Sequence, residues 1–101
     1  MNNLNQFNYS EKLAESGITL VDFWASWCGP CRAMEPVLAQ LETEGVTVNK
    51  VNVDVEQMLS AKHQVQSIPT MIVYKDKQEK GRIVGAMPLE ALKAEIAKLT
   101  N

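Results

Sequence analysis

Cys28 and Cys31 are the only cysteines in the chain, and only Gly29 and Pro30 stand between them. Sulfur at that spacing serves three chemistries: metal ligation, a structural disulfide, or reversible thiol–disulfide exchange. A structural zinc site asks for about four protein ligands. The chain offers this pair and one histidine, His63, so no metal is expected within a single chain. A structural disulfide stabilises more when it closes a longer loop, and this loop is nearly the shortest available. Exchange makes better use of the spacing. A Cys-x-x-Cys pair that follows a strand and opens a helix sets its first sulfur at the helix N-terminus. Unpaired N–H groups and the positive end of the helix dipole favour a thiolate there. Cys28 would be the exposed nucleophile, and Cys31, in the first helical turn, the more buried thiol that resolves a mixed disulfide. Pro30 fixes one backbone angle and stiffens the loop.

That chemistry requires a strand before the cysteines and a helix after them. LVDFWA, residues 20–25, is apolar except for Asp22, which suits a strand covered on both faces. CRAMEPVLAQLETEG reads as a helix ending at Gly45, with Ala33, Val37 and Leu41 on one stripe beside Met34 and Leu38. Pro36 should kink it. VTVNKVNVD is a second long strand. Asp54 and Gln57 open a helix running to about Gln64. TMIVYK (70–75) is a third strand, DKQEKG a polar turn, and RIVGAM a short strand. Pro88 opens a last helix with Leu89, Leu92, Ile96 and Leu99 on one face. At the N-terminus, Asn8 and Glu11 stand at capping-box spacing, with Gly17 closing a first helix. Leu4 to Phe7 would form a short edge strand. The order predicts one α/β domain over residues 1–101, with a mixed sheet of four to five strands flanked by about four helices. Alternation implies parallel strands early, and the tight turn implies one antiparallel pair at the end.

Asp22 is an acid inside an otherwise apolar strand. Burial would raise its pKa and keep it partly protonated near neutral pH. Such a group can exchange protons with Cys31 through water. The alternative is a solvated strand face. Lys50 shares a strand face with Val46 and Val48. The other notable residues have packing roles: His63 on the surface, Met34, Met58, Met71 and Met87 as gap-fillers, Trp24 beside the loop.

Net charge is -2, and 46% of residues are hydrophobic against 22% charged. No nucleic-acid or membrane-surface affinity is implied. No apolar run approaches the roughly 18 residues of a membrane span. MNNLNQFNYSEKL lacks the basic and apolar regions of a signal peptide, which points to the cytoplasm, where thiols are reduced.

VDFWASWCGPCRAMEP resembles the active-site segment of the thioredoxin family. KVNVD at 50–54, SIPT at 67–70 and VGA at 84–86 resemble its other markers, in order and across essentially the whole chain. The resemblance implies a thioredoxin fold and a monomeric carrier that reduces disulfide-containing protein substrates. It implies regeneration by thioredoxin reductase, with electrons from NADPH and no bound cofactor. It implies a Cys28–Cys31 redox disulfide shaped by Trp27, Gly29, Pro30 and Pro69. A cis Ile68–Pro69 bond would face the cysteines, and backbone around Ile68, Pro69 and Thr70 would pair with an extended substrate. Trp27, Gly85 and Ala86 would line the neighbouring surface, and Lys50 would approach and tune Asp22. Lys77, Gln64 and Ser67 stand where the family often has glycine. Two rivals remain: an oxidant or isomerase of the same fold, which usually has another dipeptide between its cysteines, and a binding subunit that needs no thiols.

Overall fold

The computed structural model describes residues 1–101. Its elements in chain order are β1 (Asn2–Asn3), β2 (Ile18–Trp24), α1 (Gly29–Thr43), β3 (Thr47–Asn52), α2 (Gln57–Lys62), β4 (Thr70–Lys75), β5 (Gln78–Val84) and α3 (Leu89–Thr100). The strands form one mixed sheet in the order β1-β3-β2-β4-β5. β1 and β2 run parallel to β3. β4 runs antiparallel to both β2 and β5.

Strand alternation splits the core in two. Leu20, Val48, Met71 and Val73 pack with Met34, Leu38 and Leu41 of α1 and with Leu92 and Ile96 of α3. Val21, Phe23, Val51, Ile72 and Tyr74 pack on the other face with Leu59 of α2 and with Leu4, Tyr9 and Leu13. β2 is therefore covered on both sides, as its apolar run requires. The buried stripe of α1 is Met34, Leu38 and Leu41, whereas Ala33 is exposed and Val37 half-buried.

β4 pairs antiparallel with β2, where only the β4–β5 pair was expected to be antiparallel. Because β3 runs parallel to β2 and β4 antiparallel to it, β4 starts at the end of the sheet where β3 stops. This places Ile68 and Pro69 beside the exit of β2.

Three helices are present rather than about four. The expected first helix is a series of turns, because Asn5 and Asn8 compete for its backbone. Asn5 Oδ1 accepts from Phe7 N–H at 2.8 Å and from Asn8 N–H at 3.1 Å, while Asn8 Oδ1 accepts from Asn5 N–H at 2.8 Å. Burial of Leu4, Tyr9 and Leu13 anchors the segment. The edge strand is Asn2–Asn3, ahead of the expected Leu4–Phe7, since the Asn5 turn ends it. α2 starts at Gln57 instead of Asp54, because Asn52 Oδ1 accepts from Asp54 N–H and holds a turn there. α1 continues through Pro36 without a break, losing only the N–H that would reach the Arg32 carbonyl. His63 is half-buried, its ring stacked on Tyr9 at 4.6 Å between centroids, rather than a surface residue. Met34 and Met71 are fully buried gap-fillers, whereas Met58 is exposed.

The turn between β4 and β5 is Asp76–Lys77 alone, and the rest of DKQEKG belongs to β5. Both residues are left-handed, with φ of 52° and 69°, as a two-residue hairpin demands. Lysine is a poor choice for the second position, where glycine carries no Cβ penalty. The Lys77–Glu15 ion pair at 3.1 Å is exposed and contributes little. Lys77→Gly is expected to raise stability by about 0.5–1 kcal/mol, read as a higher urea midpoint; an unchanged or lower midpoint would refute the strain.

Candidate active site

β2 ends at Trp24, and Ala25, Ser26 and Trp27 lead directly into α1. Cys28 is the N-cap of that helix, with extended backbone. Its sulfur accepts from Cys31 N–H at 3.1 Å, taking up one of the donors a helix start leaves unpaired. Pro30 sits in the first turn, where its missing N–H costs nothing. Cys28 and Cys31 are joined by a disulfide, with Cα atoms 5.2 Å apart. Both sulfurs are shielded: Cys28 is 5% and Cys31 1% exposed. Cys28 is thus the more accessible of the two, though less open than expected.

The segment before β4 lies across from the pair. Ile68–Pro69 is a cis peptide bond, and Cys28 Sγ lies 4.0 Å from the Ile68 carbonyl oxygen. The Pro69 carbonyl accepts from Gly85 N–H at 2.9 Å. Gly85 is left-handed at φ 99° and half-buried, with Ala86 exposed beside it. Pro69 is buried. Thr70 is buried too, its hydroxyl donating to the Ser67 carbonyl at 2.6 Å. Trp27 is 67% exposed, and its indole N–H donates to Asp54 at 2.8 Å. Asp54, read from sequence as a helix start, instead anchors this aromatic wall.

Asp22 shares a strand face with Leu20 and so points towards α1 and α3. It is fully buried, and neither carboxyl oxygen has a hydrogen-bond partner. Burial pushes its pKa up to about 7; the Lys50 charge lowers it and Glu35 raises it. Lys50 stands opposite Asp22 in the β2–β3 register. Its ammonium donates to Glu35 rather than to Asp22, and lies 4.0 Å from the centroid of the Trp24 ring. Glu35 is the site residue that the sequence reading missed. Its position four after Cys31 puts it on the same helix face one turn on, and that spacing was the available signal.

The Thioredoxin family model matches residues 1–98. The chain belongs to the thioredoxin family. Thioredoxins from Staphylococcus aureus strains Mu50 and N315 are each 49% identical, over 77% of this chain and 78% of theirs. A mutant thioredoxin from Halobacterium salinarum NRC-1 superposes with a TM-score of 0.88 at 30% identity, covering 99% of this chain and 90% of that one. The five-stranded mixed sheet with three helices is the thioredoxin fold. With its cysteine pair at disulfide distance, this thioredoxin-family chain is a thiol–disulfide oxidoreductase with protein-disulfide reductase activity. No helix is long and apolar enough to cross a membrane.

The raised pKa of Asp22 has a consequence for stability. The carboxyl titrates near 3.8 when unfolded and near 7 when folded. Between those values the folded chain keeps a proton that the unfolded chain has released, so stability falls as pH rises through this window. Asp22→Asn removes the loss. At pH 8 it is expected to be more stable than the parent by on the order of 2–4 kcal/mol in urea denaturation, the difference vanishing towards pH 4. An advantage that does not change with pH would contradict the buried-carboxyl account.

Proposed function

We propose that the protein is a cytoplasmic thioredoxin that reduces disulfides in other proteins and is itself reduced by thioredoxin reductase at the expense of NADPH, as a monomer with no bound cofactor. The observation that carries this reading is the Cys28–Cys31 pair capping α1 beside the cis Ile68–Pro69 segment.

In the reduced protein the Cys28 thiolate attacks one sulfur of a substrate disulfide. A Cys28–substrate S–S bond forms, the substrate S–S bond breaks, and one substrate thiolate leaves. Cys31 then loses its proton and attacks the Cys28 sulfur. The Cys28–Cys31 bond forms and the second substrate thiolate leaves. Two electrons and two protons pass from the pair to the substrate. The helix N-terminus favours the Cys28 thiolate over the thiol. Asp22, with its pKa near 7, accepts the Cys31 proton through an intervening water, and Lys50 adjusts that carboxyl.

An extended substrate segment docks across Ile68, Pro69 and Thr70, with its flanks against Trp27, Gly85 and Ala86. Thr70 contributes its backbone, since its side chain is buried and bonded to Ser67. Trp27, next to Cys28 in the chain, is exposed, and so is Ala86 beside Gly85. The largest depression of the surface, about 730 Å³, lies instead among Phe7, Tyr9, Met58 and His63. A redox pair bordered by exposed surface suits a macromolecular disulfide.

NADPH consumption with a thioredoxin reductase and a disulfide-bonded protein tests the proposal. Turnover should be lost in Cys28→Ser and in Cys31→Ser. Cys31→Ser should accumulate a mixed disulfide through Cys28, visible as a mass adduct, and Cys28→Ser should not. No turnover with reductases of several types would count against the proposed partner, and function retained in the double serine variant would favour a binding role.

A further inference from the structure

Lys50 has two carboxylates near its ammonium and bonds to only one. Asp22 faces it across the β2–β3 register, fully buried and with both oxygens unpartnered. Glu35 approaches from α1, half-buried, and takes the ammonium in an ion pair. The Trp24 ring supports the same ammonium at 4.0 Å. We propose that Glu35 is a positioning residue of the redox site: by holding the Lys50 ammonium, it withholds the counter-ion that Asp22 would otherwise take.

The physical argument is one of competition. A lysine only 9% exposed needs an anion for its ammonium, because unpaired charge is costly away from water. With Glu35 in place, the acid and lysine form a nearly neutral pair, and Asp22 feels little net field. Without the Glu35 charge, Asp22 is the carboxylate already in register. An opposite charge within about 4–6 Å stabilises a carboxylate and lowers its pKa by roughly 1–3. The other elements packed around Asp22 offer no competing charge. β4 presents Met71 opposite it, and α3 presents Leu92 and Ile96 to the same core. From α1, Met34 and Leu38 face the same core without charge, and the Cys28–Cys31 disulfide at the helix start does not titrate. The charged groups acting on Asp22 are therefore Lys50 and Glu35.

The test is a pH titration of the Asp22 carboxyl carbon by NMR in the oxidised protein, with Glu35→Gln, Glu35→Asp, Lys50→Met and the Glu35→Gln/Lys50→Met pair. Glu35→Gln should lower the Asp22 midpoint by at least about 1 pH unit. Lys50→Met should raise it. In the Lys50→Met background, Glu35→Gln should move it by less than half as much. Glu35→Asp should stay near the parent. An unchanged midpoint in Glu35→Gln, or an equal displacement in both backgrounds, would overturn the proposal. Glu35 is only half-buried, so Glu35→Gln should fold; Glu35→Ala serves as a second variant with the same expected direction. The kinetic consequence alone rests on Asp22 as proton acceptor: the low-pH limb of disulfide reduction should move down with the midpoint. A displaced midpoint with an unmoved limb would support the positioning by Glu35 and overturn the proton relay.

Discussion

β2 is hydrogen-bonded along both edges, to β3 and β4, and buried on both faces. Every other element takes its place from that strand. Leu20 and Asp22 face α1 and α3, and Val21 and Phe23 face α2 and the N-terminal turns. A strand saturated in this way can leave the sheet only at its end. The chain turns there through Ala25 to Trp27 into α1, and Cys28 lands at the helix N-terminus. The same strand decides where β4 begins, because β4 pairs antiparallel with it and so starts at the end where β2 and β3 stop. The cysteine pair and the cis-proline segment meet at one end of the sheet for this geometric reason.

The core that packs α1 and α3 against the sheet also holds a charged cluster. A carboxylate alone in that core would be strongly destabilising, so the buried Asp22 carries a raised proton affinity. Lys50 lies one strand away and is steadied by Glu35 and by the face of Trp24. Two strands, one helix and an aromatic ring thus share the placement of two charges behind the disulfide.

Backbone strain is concentrated elsewhere. Gln64, Asp76 and Lys77 are the non-glycine residues with positive φ. Gln64 follows α2, and Arg82 of β5 reaches the carbonyls at that helix end, 2.8 Å from His63 O and 3.5 Å from Gln64 O. Asp76 is tied to Gly17: its carboxyl accepts from Gly17 N–H at 2.8 Å, and its own N–H donates to Gly17 O at 2.9 Å. At Gln64 and Asp76, tertiary bonds hold conformations that these side chains would not adopt alone.

Local pattern determined much of this protein. The apolar run of β2, the β-branched β3, the TMIVYK strand, the existence of α1 and the stripe of α3 are each legible from their own residues, while the buried line of α1 runs through Met34 and Leu38 rather than Ala33 and Val37. Legible too is the cysteine pair between strand and helix, because its chemistry follows from sequence-local geometry. Local signals misled where side chains compete for the backbone: Asn5 and Asn8 hold turns where capping-box spacing promised a helix. Only the tertiary structure decided the direction of β4, the half-burial of His63 against Tyr9, and the partner of Lys50. Asp22 and Lys50 could be placed on facing positions from strand alternation. Their pairing could not: spacing puts Glu35 on the helix face of Cys31, but that it takes the Lys50 ammonium depends on how α1 packs across the sheet.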